Sequence, residues 1–191
     1  MQSIGMIGLL RRPVVPSGRA CPILDVGLMA YTHVSDQFGP FATHTIPATV
    51  SKAPYVLDGL LMNEAGRKIT EQCADTGDFT DQVFAVTALL SYWFIPRIRD
   101  LPSTRLHLFD PAAAPNELRG LFGGKIREGL IVQNWPSVLR SVATMATGVM
   151  APSQLLKKFA AYPRQHELAM ALREIGRIER TLLIIDWRCR Y

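Results

Sequence analysis

A mixed α/β sheet with crossover helices, followed by a mainly helical C-terminal part, is the fold class this sequence predicts. Two observations predict it. Between residues 28 and 110, short runs rich in β-branched and aromatic residues alternate with helical stripes, in the order strand, helix, strand, helix, strand. From residue 111 onward, apolar residues recur at helical spacing. The chain has 191 residues, 48% of them apolar, which is a globular composition of a size that can bury its own core. It divides into a divergent N-terminal segment, 1–27, a sheet-bearing core, 28–110, and a helical part, 111–191.

Each element has its local reason. In 1–27, Pro13, Pro16 and Pro22 block any long helix. Residues 28–34, LMAYTHV, and 41–50, FATHTIPATV, are rich in β-formers and flank the polar turn SDQFGP, so a hairpin is predicted. Pro47 confines the second strand's end to an edge or a bulge. A helix follows, with Ser51 as N-cap, Pro54 in the first turn, a stripe of Val56, Leu57, Leu60 and Leu61, and Gly66 as its stop. Residues 67–74, RKITEQCA, read as a strand ending in Asp75-Thr76-Gly77-Asp78. The next helix spans 79–91 and buries Val83, Phe84, Val86, Thr87 and Leu90. Residues 92–98, YWFIPRI, form another strand, and 105–109 one more. Helical spacing then links Trp135, Val138, Leu139, Val142 and Met145, with Gly148 as the stop. A short helix over 154–162 ends at Pro163. The last helix, 165–185, carries Leu168, Leu172, Ile175 and Leu182 on one face.

Composition narrows the function. The net charge of +5 and a pI near 9.4 favour an anionic partner. Cys21, Cys73 and Cys189 are odd in number and widely spaced, which argues against a disulfide framework or a zinc site and for a reducing, cytoplasmic setting. The apolar run 4–10 is broken by Gly5 and Gly8 and is too short to cross a bilayer. Arg11 and Arg12 follow that run, the wrong order for a signal peptide, so no membrane partner is expected. His33, His44, His107 and His166 lack ligand spacing, and Trp93, Trp135 and Trp187 read as core aromatics.

Several blocks carry more than composition. They are Tyr31-Thr32-His33-Val34-Ser35-Asp36-Gln37-Phe38-Gly39-Pro40-Phe41, Tyr55-Val56-Leu57-Asp58-Gly59-Leu60-Leu61, Ala74-Asp75-Thr76-Gly77-Asp78-Phe79-Thr80-Asp81 and Pro96-Arg97-Ile98-Arg99-Asp100-Leu101. The longest joins Tyr162-Pro163-Arg164-Gln165 to Ala171-Leu172-Arg173-Glu174-Ile175-Gly176-Arg177-Ile178-Glu179-Arg180-Thr181 and Asp186-Trp187. In this order and over about residues 28–187, the chain resembles the bacterial DDE transposases of Tn-three-like transposons. Residues 1–27 and 188–191 lie outside the resemblance.

The resemblance implies a ribonuclease-H-like core, here a partial one, with three carboxylates on separate elements. The first lies on a central first strand that joins the hairpin to the later strands, the second just past the fourth strand, and the third on a later helix. Such a site holds two divalent ions, Mg²⁺ in the intact family, and converging oxygen ligands offset the repulsion between them. The second acid matches Asp75, the one catalytic and metal-ligating residue assigned. Residue chemistry alone makes Asp75, Asp78 and Asp81 helix-start acids, and Asp78 and Asp81 keep that role. Residues 1–24 contain neither Asp nor Glu, and Asp25 is too close to the hairpin to be the first acid. The third belongs to an Asn-Lys-Gly-Glu segment that follows Asp-Trp in the family, whereas the last residue given is Tyr191. Glu179, flanked by Arg177 and Arg180, reads as a solvated or paired carboxylate. One acid alone holds Mg²⁺ weakly or not at all. Residues 3–9 or 20–24 are the segments available to fill the place of the first strand.

Basic residues form the second candidate site. Arg97 and Arg99 follow a strand; Lys157, Lys158, Arg164, Arg173, Arg177 and Arg180 make the C-terminal part basic. Arg173, Arg177 and Arg180 share a helix face and suit phosphate contacts, with a solvated face as the alternative. The expected partners are DNA, both transposon and target, and an intact transposase. The expectation is thus a fragment of a DDE transposase whose intact members cut and join DNA strands in replicative transposition, itself catalytically incomplete. The alternatives are a non-catalytic remnant that binds DNA or an intact transposase, and a decayed open reading frame.

Overall fold

The computed structural model describes residues 2–9, 27–37, 39–61, 69–75, 79–161 and 166–190, with 2–9 given by backbone path alone. The predicted hairpin forms from β2 (Leu28–Ser35) and β3 (Pro40–Pro47), antiparallel from Leu28 opposite Pro47 to Val34 opposite Pro40. Met29, Tyr31 and His33 alternate inward, as a period of two requires. Pro47 closes an edge strand, where a missing N–H leaves no ladder partner unsatisfied.

A strand from the N-terminal segment, β1 (Gln2–Leu9), lies beside the hairpin. It pairs antiparallel with β2 and parallel with β4 (Glu71–Ala74), which in turn pairs parallel with β5 (Trp93–Pro96). The sheet order is β3-β2-β1-β4-β5, so a segment proposed as a substitute is central. The other proposed segment, 20–24, lies outside the described residues, as do Gly66, Asp78, Pro163 and Arg164. Of the strand predicted over 67–74, the ladder covers Glu71–Ala74.

Helices pack against this sheet. A 3-10 turn, Ala53–Tyr55, leads into α1 (Val56–Leu61). Ser51 is not its cap: the turn starts at Ala53, Lys52 holds the capping position, and no side chain bonds there. Next, α2 (Asp81–Leu89) begins where the Thr80 hydroxyl accepts the Val83 N–H at 3.3 Å. It ends in a left-handed Ser91, φ 63°, with the Tyr92 N–H donating to Thr87 O and the Ser91 N–H to Ala88 O. The rings of Phe84 on α2 and Phe94 on β5 meet edge to face at 5.0 Å, fastening helix to sheet.

The C-terminal part departs from the predicted pattern first. Residues 111–125 are not α-helical. They make 3-10 turns at Pro111–Ala113 and Asn116–Leu121 and then β7 (Phe122–Lys125), parallel to β6 (Leu106–Leu108) in a second, two-stranded sheet. Pro111 and Pro115 break helical bonding, and Gly120, Gly123 and Gly124 make a helix costly here. Helix resumes in α3 (Glu128–Ala146), α4 (Pro152–Ala161) and α5 (Glu167–Arg190). Gly148 takes φ 72° after α3, the stop expected of it. Trp93 and Trp135, read as core aromatics, are 50% and 40% exposed, and Leu139 and Leu182, placed on the apolar helix stripes, are 47% and 56% exposed. The burial line of α3 passes instead through Val138, Val142 and Met145, and α5 buries Leu172, Ile175, Leu183 and Ile184. A helical repeat marks a stripe but not the edge of it that a neighbour covers.

Two long-range joints tie the hairpin region to the rest. Buried Asp58 accepts the Ser153 N–H at 2.8 Å and so caps α4 from α1. His33 is fully enclosed; a Cβ at Gly59 would stand 2.1 Å from its ring. Burial, helped by His44, lowers the His33 pKa from 6.5 to about 4, against weaker support from the Tyr55 backbone and the Gln72 side chain. Unfolded chain therefore binds more protons across that window. Stability is complete above an ordinary histidine's pKa and falls as pH drops toward about 4, by roughly 3 kcal/mol in all. Urea midpoints of wild type and His33→Gln, followed from neutral to mildly acid pH, should separate; equal pH slopes would contradict the burial argument.

Candidate functional site: an acid at a strand end and the charged joint behind it

Asp75 follows the last residue of β4 and is exposed. It stands at the carboxyl end of a strand just ahead of a helix, where a sheet with parallel strands presents ligands. The Arg97 N–H donates to Ala74 O at 2.8 Å, carrying the β4–β5 pairing past Pro96 and setting Arg97 alongside Asp75 in register. Arg97 and Arg99 are both exposed. On the other side of β4 runs β1, with Ile4 opposite Cys73. No residue of Gln2–Leu9 carries a carboxylate. Among the described residues, no group of three or more His, Cys, Asp or Glu side chains lies placed to hold a metal ion.

Behind this strand end lies a network that sequence reasoning missed. Glu174, on α5, is fully buried. It accepts the Arg127 backbone N–H at 3.3 Å, Arg127 Nε at 3.0 Å and Arg177 Nη1 at 2.9 Å. Arg127 holds the capping position of α3, so Glu174 fastens the start of α3 to α5. Arg177 also reaches Asp81 at 3.8 Å, and Arg180 lies 2.7 Å from the same carboxylate in the first turn of α2. The helices can close this far because residue 176 is glycine: a Cβ there would stand 1.6 Å from Asp81 O. Thr181, one residue past Arg180, accepts the His107 N–H at 3.1 Å and seats β6 on α5. His107 has a lowered pKa, from burial first and then from the Arg177 and Arg180 charges.

The basic residues are thus unequal. Arg177 and Arg180 are engaged inside the chain. Lys157 lies over the Tyr55 ring, 4.4 Å from its centroid, and donates to the Tyr55 hydroxyl. Lys158 is exposed and Arg173 half-buried on the outside of α4 and α5. Glu179 is not paired with its flanking arginines, which turn to Asp81. Only the Glu174–Arg177 spacing of i, i+3 was readable in advance. The partners Asp81 and Arg127 lie too far along the chain for spacing to betray them.

Comparison with known proteins resolves the class. The Tn3 transposase DDE domain family matches residues 24–189, and the chain belongs to that family. It is 45% identical over 163 residues to the transposase for transposon Tn501 of Pseudomonas aeruginosa. It is 43% identical over 161 residues to the transposase for transposon Tn21 of Escherichia coli, and 28% identical to that of gamma-delta from Escherichia coli strain K12. The first two matches cover 85% and 84% of this chain but only 16% of each relative's length. The family match begins at residue 24, past β1, so the central strand comes from residues outside the family pattern. No helix among the described residues is long and apolar enough to cross a membrane.

Proposed function

We propose that this chain is the part of a DDE transposase core that carries its second catalytic acid, Asp75, on a ribonuclease-H-like sheet, and that it is catalytically incomplete by itself. The observation that carries the reading is the company Asp75 keeps. Strand β1 joins the hairpin to β4, which is the place the family gives to its first acid-bearing strand, and β1 has no acid. Among the described residues the donor set does not fit a pair of divalent ions. Two close cations repel strongly, and one carboxylate cannot offset that repulsion. No metal-dependent step is therefore assigned to this chain.

DNA is the partner this reading implies, since the relatives are transposases and the exposed Arg97 lies next to the end of β4, with the exposed Arg99 two residues on. Lys158 and Arg173 add outward charge on the helical part, while the engaged Arg177 and Arg180 contribute through the fold. Such contacts give affinity that is independent of sequence and falls steeply with salt. A whole transposase would supply the missing acids and the cutting and joining of strands.

One assay tests this. Purified chain and Asp75→Ala are incubated with supercoiled DNA and Mg²⁺ or Mn²⁺ while binding is followed across a salt series. Weak binding that fades with salt, with no nicking by either protein, is expected. Metal-dependent nicking that disappears in Asp75→Ala would overturn the incompleteness. Binding indifferent to salt would overturn the phosphate-contact reading.

A further inference from the structure

The crossing of α2 and α5 that buries the Asp81 network opens, farther along the same two helices, into a groove of about 540 Å³ floored by β5 and the turn before it. Glu179, Leu182 and Asp186 line it from α5; spaced i, i+3 and i+7, they occupy one helix face. Phe84, Tyr92 and Trp93 supply aromatic walls. The groove is open: Trp93 is 50% and Leu182 56% exposed.

Glu179 is the residue the fold leaves unanswered. Its flanking arginines, 177 and 180, are drawn to Asp81, and among the described residues no hydrogen bond or ion pair reaches the Glu179 carboxylate. Asp186 has an interaction of its own within the chain, so the open demand falls on Glu179. Desolvation by partial burial raises the Glu179 pKa.

We propose that this groove is a docking site for an arginine side chain presented by a partner protein between aliphatic residues. The guanidinium is flat, stacks on aromatic faces and pairs with a carboxylate; an ammonium gives up its hydration less readily. Leu182 offers surface to the aliphatic flank. The Glu179 carboxylate disfavours a phosphate, so nucleic acid is not the occupant. The proposal concerns a surface apart from Asp75 and does not depend on the chain's catalytic state.

The test is fluorescence anisotropy of a labelled Gly-Leu-Arg-Leu-Gly peptide, with a companion in which neutral citrulline replaces arginine. The proteins are wild type, Glu179→Gln and Trp93→Ala, with circular dichroism and urea midpoints to verify folding. Saturable binding of the arginine peptide is expected. Citrulline, or Glu179→Gln with its fold intact, should weaken it by about tenfold or more, as losing a charge-assisted pair does. Binding by wild type should also weaken as acid protonates Glu179. Absence of saturable binding, equal binding of the citrulline peptide, or indifference to Glu179→Gln would overturn the proposal. So would displacement of the peptide by a DNA oligonucleotide. Self-association of wild type that Glu179→Gln abolishes would likewise overturn it, since the occupant would then be a second copy of this chain.

Discussion

Gly176→Ala is expected to lower stability by about 3 kcal/mol or more, a large share of the roughly 5–15 kcal/mol that holds a domain folded. Helix propensity predicts the opposite sign, since alanine is favoured over glycine inside a helix by about 1 kcal/mol. The tertiary contact reverses it. The added carbon would stand 1.6 Å from Asp81 O and 2.4 Å from its carbonyl carbon, and these are backbone atoms that no rotamer change can move aside. Relief requires α2 and α5 to separate, which also stretches the Arg180–Asp81 contact of 2.7 Å. Urea denaturation reads the result directly. A midpoint equal to or above wild type would mean that the helices do not cross this closely.

Glu174→Ala is expected to cost about 3 kcal/mol or more by a different route. The fully buried carboxylate accepts from two arginines and from the backbone N–H at the start of α3. Its removal leaves Arg177, already half-buried, with Asp81 alone at 3.8 Å. Arg127 is 54% exposed and can rehydrate, so the loss centres on Arg177 and the Arg127 N–H. Glu174→Gln should recover part of it, because an amide oxygen still accepts one of these bonds. Thermal midpoints in the order wild type, Gln, Ala are expected. Glu174→Ala as stable as wild type would show that the network contributes nothing. The double variant with Gly176→Ala should fall short of additive, since both changes open the same joint.

Both positions lie in the block Arg173-Glu174-Ile175-Gly176-Arg177-Ile178-Glu179-Arg180, which was legible as a family signature but not as a joint. Its arginines looked like a phosphate-binding face at helical spacing. In the fold Arg177 pairs with Glu174 and, farther off, Asp81, and Arg180 pairs with Asp81, a partner on another helix that spacing along one helix does not reveal. The hairpin, the strand before Asp75 and the helix after it were legible for the opposite reason. Their signals, runs of β-formers about a polar turn and acids at a helix start, are completed within a few residues; the Thr80 cap itself was seen only in the fold. In the region 111–125 the prolines and glycines already disfavour a helix, but that its end forms β7 is decided by the pairing with β6.

The sequence by itself determined the family, the alternation of strands and helices, and the absence of any Asp or Glu from residues 1–24, which is a matter of composition. The tertiary structure alone decided that a strand from outside the family pattern completes the centre of the sheet. It decided which arginines are held and which remain outward, and it left Glu179 facing a groove. The physical reason is range. Periodicity and capping act over one or two turns, whereas a ladder partner, a buried carboxylate and a helix crossing are chosen by whichever distant segment can cover an apolar surface and still satisfy its polar groups.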